Sequence, residues 1–519
     1  MLSKTSAPFL PPLAFFALTL HAQAPATPVP APPTPQGLRS EVAGIPVNSA
    51  GIRMRPTLRL ASSLLAFAVL SGSVHAASRT FIANDYGARP DGVTLDTAAI
   101  QKAVDAAGGV HGTVTLNPGT YLTGSIFLKS GVTLDLPAGV TLIGSQRLAD
   151  YPELPTRVAG IEMTWPAALV NVRDQHNVTI TGKGTIDGDG PIWWKSYWDL
   201  RREYDRRGLR WAADYDCRRP RLILIQNSAH VFLGGGLLLT RSGFWTVHIL
   251  YSQHIHVDGI VIRNNVGGRG PSTDGVDIDS SRHILVERAD ISDNDDALCL
   301  KSGRDADGLR VNRPTEDVVL RDSIIRDGAA AVTIGSETSG GFRNIEVYNI
   351  TALSHVPSGI LFKSAHTRGG HARDIRIHDL TLEGVGIPIH IEMNWNPSYS
   401  YAKIPAGLTS VPPYYKVLAT PVPPAEGTPH FSDVHIWKIK STGARRAFDV
   451  SAMPEAPLVD FTFDHISINA QSAGRAADVQ DWTLTDVQIH AADGSQLTFA
   501  DSTGLKLKDD SGIAAASAR

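Results

Sequence analysis

The chain has 519 residues, of which 42% are hydrophobic and 19% charged, with a formal net charge of −3. That composition excludes a disordered or fibrous chain and supplies ample apolar material for a large core. A near-neutral balance argues against nucleic acid as a partner, because phosphate binding needs a basic face.

Residues Met1 to Ala24 make a poor export signal, since Pro11 and Pro12 interrupt the apolar run after Lys4. A Pro/Ala-rich, low-complexity stretch follows to about residue 53. A far better signal comes next, with Met54-Arg55 and Arg59 as its positive region, Leu60 to Leu70 as its apolar run and Val74-His75-Ala76 as the cleavage site. The expectation is an over-called or low-complexity leader (1–53), a signal peptide (54–76) and a single mature domain (77–519), secreted or periplasmic. No later segment is long and apolar enough to span a membrane, and a monomer is expected.

Residues Ile82 to Gly109 read as a capping unit. Asp96 and Thr97 can start a helix running through Ala106, with Ala99, Ile100, Ala103 and Val104 as its apolar face. Beyond it, helical periodicity gives way to short strands and Gly/Asn/Asp turns. A polar residue followed by apolar-x-apolar recurs, with the first apolar residue at Val178, Val231, Ile255, Ile284, Val318, Ile345, Ile375, Val434 and Phe461. Each of Ile284, Val318, Ile345 and Ile375 is followed 14 or 15 residues later by a second strand, at Leu298, Val332, Ile360 and Ile389. A solenoid with at least two strands per turn explains both periods. An antiparallel sandwich also gives short strands, but not a constant offset within each unit. The fold class is therefore all-β, a right-handed parallel β-helix with an N-terminal helical cap.

Registering the second strands on Val276, Leu298, Val332, Ile360 and Ile389 turns those residues inward and places Asp277, Asp279, Cys299, Lys301, Thr333, Leu361, Lys363, His390 and Glu392 on one outer wall. Asp274 and Asp296 precede their register positions by two residues in adjacent turns, and Asp295 lies beside Asp296. Three crowded carboxylates raise at least one pKa, which supplies a general acid, and leave others ionised to activate water. Asp-rich turns are also common for local hydrogen bonding, and the trio suits Ca²⁺ as well. Two cysteines, Cys217 and Cys299, without a CxxC motif exclude a structural zinc site and a disulfide framework; one bridge between them stays open.

The stretch Ser272-Thr273-Asp274-Gly275-Val276-Asp277-Ile278, with Asp295-Asp296 starting twenty-one residues after Asp274, resembles glycoside hydrolase family 28, the polygalacturonase family. Gly184-Thr185-Ile186-Asp187-Gly188, Trp193-Trp194, Phe244-Trp245-Thr246-Val247-His248, Lys301-Ser302-Gly303, Ile334-Gly335-Ser336-Glu337 and Phe362-Lys363-Ser364 are similar to its exo-acting bacterial branch. The resemblance runs from about Phe81 to Trp395. It implies an exo-acting hydrolase of α-galacturonosyl linkages in pectic polysaccharide or oligosaccharide, with neither cofactor nor metal. In that reading Asp295 is the general acid, while Asp274 and Asp296 position and deprotonate water, with the acid and base carboxyls about 6.5–9.5 Å apart for inversion. Lys363 holds the uronate carboxylate, joined by Lys301, Trp395 and His248 as substrate-binding residues.

Four positions depart from the family pattern. Ser272 stands for Asn, Gly328-Ala329-Ala330-Ala331 lacks the histidine, Leu361 takes the place of the carboxylate-binding arginine, and Trp395 that of Tyr. Losing the arginine removes a bidentate clamp and predicts weak action on unmodified polygalacturonate. A rhamnogalacturonan hydrolase of the same family, a calcium-dependent pectate lyase and a non-catalytic β-helix binding protein are the alternatives. The long insertions 195–221 and 398–429 are expected to wall off one end of the cleft.

Overall fold

Stacking like residues on like turns is what the repeat demands, and the strand register obeys it. The structure, a computed structural model, describes residues 79–408 and 410–514; the expected leader and signal peptide lie outside the described residues. Val178 pairs with Val231, Val231 with Ile255, and the column continues in parallel through Ile284, Val318, Ile345, Ile375 and Val434 to Phe461. The second column pairs Val276 with Leu298, then Val332, Ile360 and Ile389. With a third ladder through Ile186, Leu239, Ile262 and Ile291, these columns form, among the described residues, one parallel sheet of 32 strands wound into a right-handed parallel β-helix. Both columns are buried in one continuous apolar core.

The polar residue before each apolar pair has a physical reason. Asn177, His230, His254, His283, Asp317, Asn344, Asp374, Asp433 and Asp460 all have φ between 52° and 57°, the left-handed region that Asn, Asp and His enter most readily after glycine. They turn the chain at one corner of every coil.

At the N-terminal end the helix Thr97–Gly108 buries Ile100, Ala103, Val104 and Ala107. Asp96 precedes it but does not cap it; its Oδ1 accepts from the Arg89 amide instead (3.0 Å). The first insertion holds a helix that strand periodicity conceals, Pro191–Arg206. Pro191 starts it, Trp193, Trp194 and Tyr197 are buried, and ion pairs such as Arg201–Asp205 and Arg207–Glu203 line its outer face.

Both insertions pack down on the outer wall. An antiparallel hairpin, Glu153–Val158 with Ile161–Pro166, joins them. Val158, Ile161 and Trp165 of the hairpin, Leu209, Trp211 and Tyr215 of the first insertion, and Tyr415 and Leu418 of the second form a separate hydrophobic cluster with Phe244 and Trp245. The outward-facing wall is therefore covered: Asp277, Asp279, Cys299 and Thr333 are fully buried. Cys217 and Cys299 are both free.

Candidate active site

The strands Val276–Asp279 and Asp296–Lys301 run side by side. The Gly275 amide donates to the Asp296 carbonyl (3.0 Å), which sets Asp274 beside Asp296 as their shared register predicts. One oxygen from each of Asp274, Asp295 and Asp296 lies within 4.8 Å of the others. These nearest oxygens are crowded: two unit charges about 4 Å apart repel by roughly 4 kcal/mol even at the effective dielectric of a protein surface.

Two lysines from the same wall relieve the crowding. Lys363 Nζ donates to Asp296 Oδ2 at 2.7 Å, and Thr333 Oγ1 donates to Asp296 Oδ1 at 2.9 Å. Lys301 Nζ stands 3.5 Å from Asp274, 3.4 Å from Asp277 and 3.5 Å from Glu337. Each ammonium also sits over an indole face, Lys363 4.5 Å from Trp395 and Lys301 5.0 Å from Trp245, where cation–π attraction replaces part of the lost hydration.

This asymmetry separates the three carboxyls. Burial works against an ionised Asp296, but Lys363 and Lys301 outweigh it and hold the group below its ordinary range. Burial, reinforced by Asp296, pushes Asp295 up to about 6. Burial with Asp277 and Asp295 raises Asp274 well above the usual value. Asp296 is thus the ionised member and Asp295 carries a proton in mildly acidic solution, the division that acid–base chemistry at one bond requires. As hard oxygen ligands the trio could hold a cation, but the Asp296 and Asp274 oxygens already face ammonium groups.

An open cavity holds these groups. Asp274, Asp295, Asp296, Lys301, Lys363 and Trp395 line it, so six of the seven expected site residues converge. His248 does not. It is fully buried, Nδ1 lies 2.6 Å from the Arg221 guanidinium and Nε2 3.5 Å from Asp279, and burial lowers its pKa to about 4. Its ring meets Trp245 edge-on at 4.7 Å, so it lies behind the cavity wall that Trp245 lines.

Four charged or phenolic lining residues, Glu337, Arg210, Asp214 and Tyr399, were given no role by the sequence. Glu337 accepts from the Tyr399 hydroxyl (3.1 Å) besides facing Lys301; its place in the stretch Ile334-Gly335-Ser336-Glu337 was its available signal. Arg210, Asp214 and Tyr399 come from the two insertions, where no repeat fixes register and no pattern pointed to them.

The family model for glycosyl hydrolases family 28 matches residues 118–411, more than half of the chain. The chain belongs to that family. A second model, rhamnogalacturonase A/epimerase, pectate lyase-like, matches residues 81–147. A probable polygalacturonase of Vitis vinifera is 29% identical over 82% of this chain and 80% of its own length. The exo-poly-alpha-D-galacturonosidase of Dickeya chrysanthemi is 26% identical over 62% of this chain, which covers 59% of that protein. In fold the chain is similar to a hyperthermoactive exopolygalacturonase from Thermotoga maritima (TM-score 0.64, 23% identity, 83% of this chain and 92% of the other). Within this family 28 hydrolase two departing positions, Ser272 and Trp395, are half-buried and line the cavity, whereas the alanine stretch and Leu361 are largely enclosed. Ala330 pairs with Asp296 and is enclosed, and Leu361 is only 6% exposed between Thr333 and His390.

Proposed function

We propose that this glycoside hydrolase cleaves α-galacturonosyl linkages of pectin from a chain end, with Asp295 as general acid, Asp296 as the base that takes a proton from water, and Asp274 as the group that orients that water. The observation that carries this reading is the three-aspartate cavity whose carboxyls two buried lysines drive apart in proton affinity. A water between Asp274 and Asp296 fits a gap of up to 4.8 Å with a normal hydrogen bond to each side. Attack from there, opposite Asp295, inverts the anomeric centre. Exo action is supported by the two insertions and the hairpin, whose joint cluster borders the cavity at Ala159, Phe244 and Trp245. The relatives named for polygalacturonate and exo action support the substrate class.

Lys363 and Trp395 bind the sugar at the cut and Lys301 holds the carboxyl frame. Export through a signal peptide at 54–76 and a single catalytic domain over 77–519 complete the proposal, resting on the sequence of that segment and on the unbroken strand ladder. A rhamnogalacturonan-type hydrolase is the second reading, favoured by Leu361 where an arginine is expected and by the match over residues 81–147. Product analysis on polygalacturonate, rhamnogalacturonan and their short oligosaccharides tests both. Monomer release from polygalacturonate is the expected result, and ultraviolet-absorbing unsaturated products or inert substrates would reject the proposal.

A further inference from the structure

The cations around the cavity differ in how fully they are engaged. Lys363 is committed to Asp296, and Lys301 is surrounded by Asp274, Asp277 and Glu337. Asp214 accepts from two arginines, Arg210 Nη1 and Arg219 Nη2, both at 3.0 Å, and from Ser272 Oγ at 2.9 Å. Arg219 is sealed off, with its guanidinium over Tyr197 and Phe244. Arg210 instead lines the cavity. It sits in the turn Arg210–Ala212, where Leu209 and Trp211 on either side are buried in the cover, and its guanidinium lies 4.8 Å from the centre of the Tyr399 ring.

Its hydrogen bonding is incomplete. The side chain is 12% exposed, Nη1 alone is engaged, and Nε is buried without a partner. Nη2 has neither a partner nor the burial that encloses Nε, and it is the donor left for a carboxylate in the cavity, a charge-assisted hydrogen bond.

We infer that Arg210 grips the uronate carboxylate of the substrate, so that the first insertion, not the wall position Leu361, reads the acid group. The inference rests on the hydrolase reading above and names how that site recognises its sugar. Its test is the preference of one enzyme sample for D-galacturonate over D-galactose in calorimetric binding, and for an oligogalacturonide over its methyl ester in kcat/KM. A ratio taken within one sample is insensitive to the folded fraction. The wild type should favour the free acid in both. Arg210→Gln should lower that preference on the order of 10- to 100-fold by weakening only the acid, and Arg210→Lys, a point charge without the fork, should restore it only in part. A preference equal to the wild type's in Arg210→Gln, or a wild type that does not distinguish the two sugars, overturns the inference and leaves the hydrolase reading standing. A wild type that cleaves no pectic substrate would instead reject the hydrolase reading.

Discussion

Two stacks of polar residues run along this β-helix, and they solve the same problem in opposite ways. At the left-handed corner, Asn, His and Asp follow one another from turn to turn. There Asn344 donates to Asp317 (2.6 Å), and the rings of His230, His254 and His283 stack at 4.8 and 4.7 Å. Neighbouring donors and water share the load. On the active-site wall the same interstrand spacing brings Asp274 and Asp296 together beneath a hydrophobic cover. Burial limits screening by water there, and two lysines supply the compensating charge. The contrast shows that polar stacking costs little where solvent reaches it. It becomes a source of shifted proton affinity where solvent is removed.

The largest effect should come from breaking the wall. Asp295→Asn should lower kcat by roughly 10²–10⁴-fold, the usual contribution of general acid catalysis, with an unchanged circular dichroism spectrum. Next in size is Lys363→Met. Removing one partner of a buried ion pair costs about 3–5 kcal/mol, readable as a lower midpoint in urea. In the fraction that folds, the acid limb of the kcat/KM profile should move upward because Asp296 has lost its main cation.

A smaller effect sharpens the comparison through pH. The folded-state pKa of Asp295 is raised, to about 6, so between about pH 4 and 6 the folded protein binds a proton that the unfolded chain has released. Stability therefore falls as pH rises through that window. Asp295→Asn removes this loss and should be more stable than the wild type at pH 7, by on the order of 1–3 kcal/mol, with no advantage at pH 4. Calorimetric melting at both pH values decides it. At the corner the same isosteric change, Asp317→Asn, should shift stability by less than about 0.5 kcal/mol and leave activity intact, as a paired melting and rate assay would check.

What could be read from the sequence follows the same division. The coil was legible because a parallel ladder forces one register on every turn, and Val178 through Phe461 stand in the column that their spacing predicted. Asp274, Asp295 and Asp296 were legible for the same reason, being tied to register positions. Arg210 and Tyr399 were not, because insertions obey packing against the wall and no period. His248 was expected in the site because its stretch resembles the family's, and a motif cannot say what encloses the ring, here Arg221 and Trp245.

The central claim is that Asp295 donates the proton to the departing sugar oxygen, and leaving-group chemistry tests this most directly. An α-galacturonosyl fluoride needs little protonation to depart. If Asp295 is the acid, Asp295→Asn should hydrolyse the fluoride within about tenfold of the wild type while losing roughly 10²–10⁴-fold on the glycosidic bond. An equal loss on both substrates would contradict the assignment.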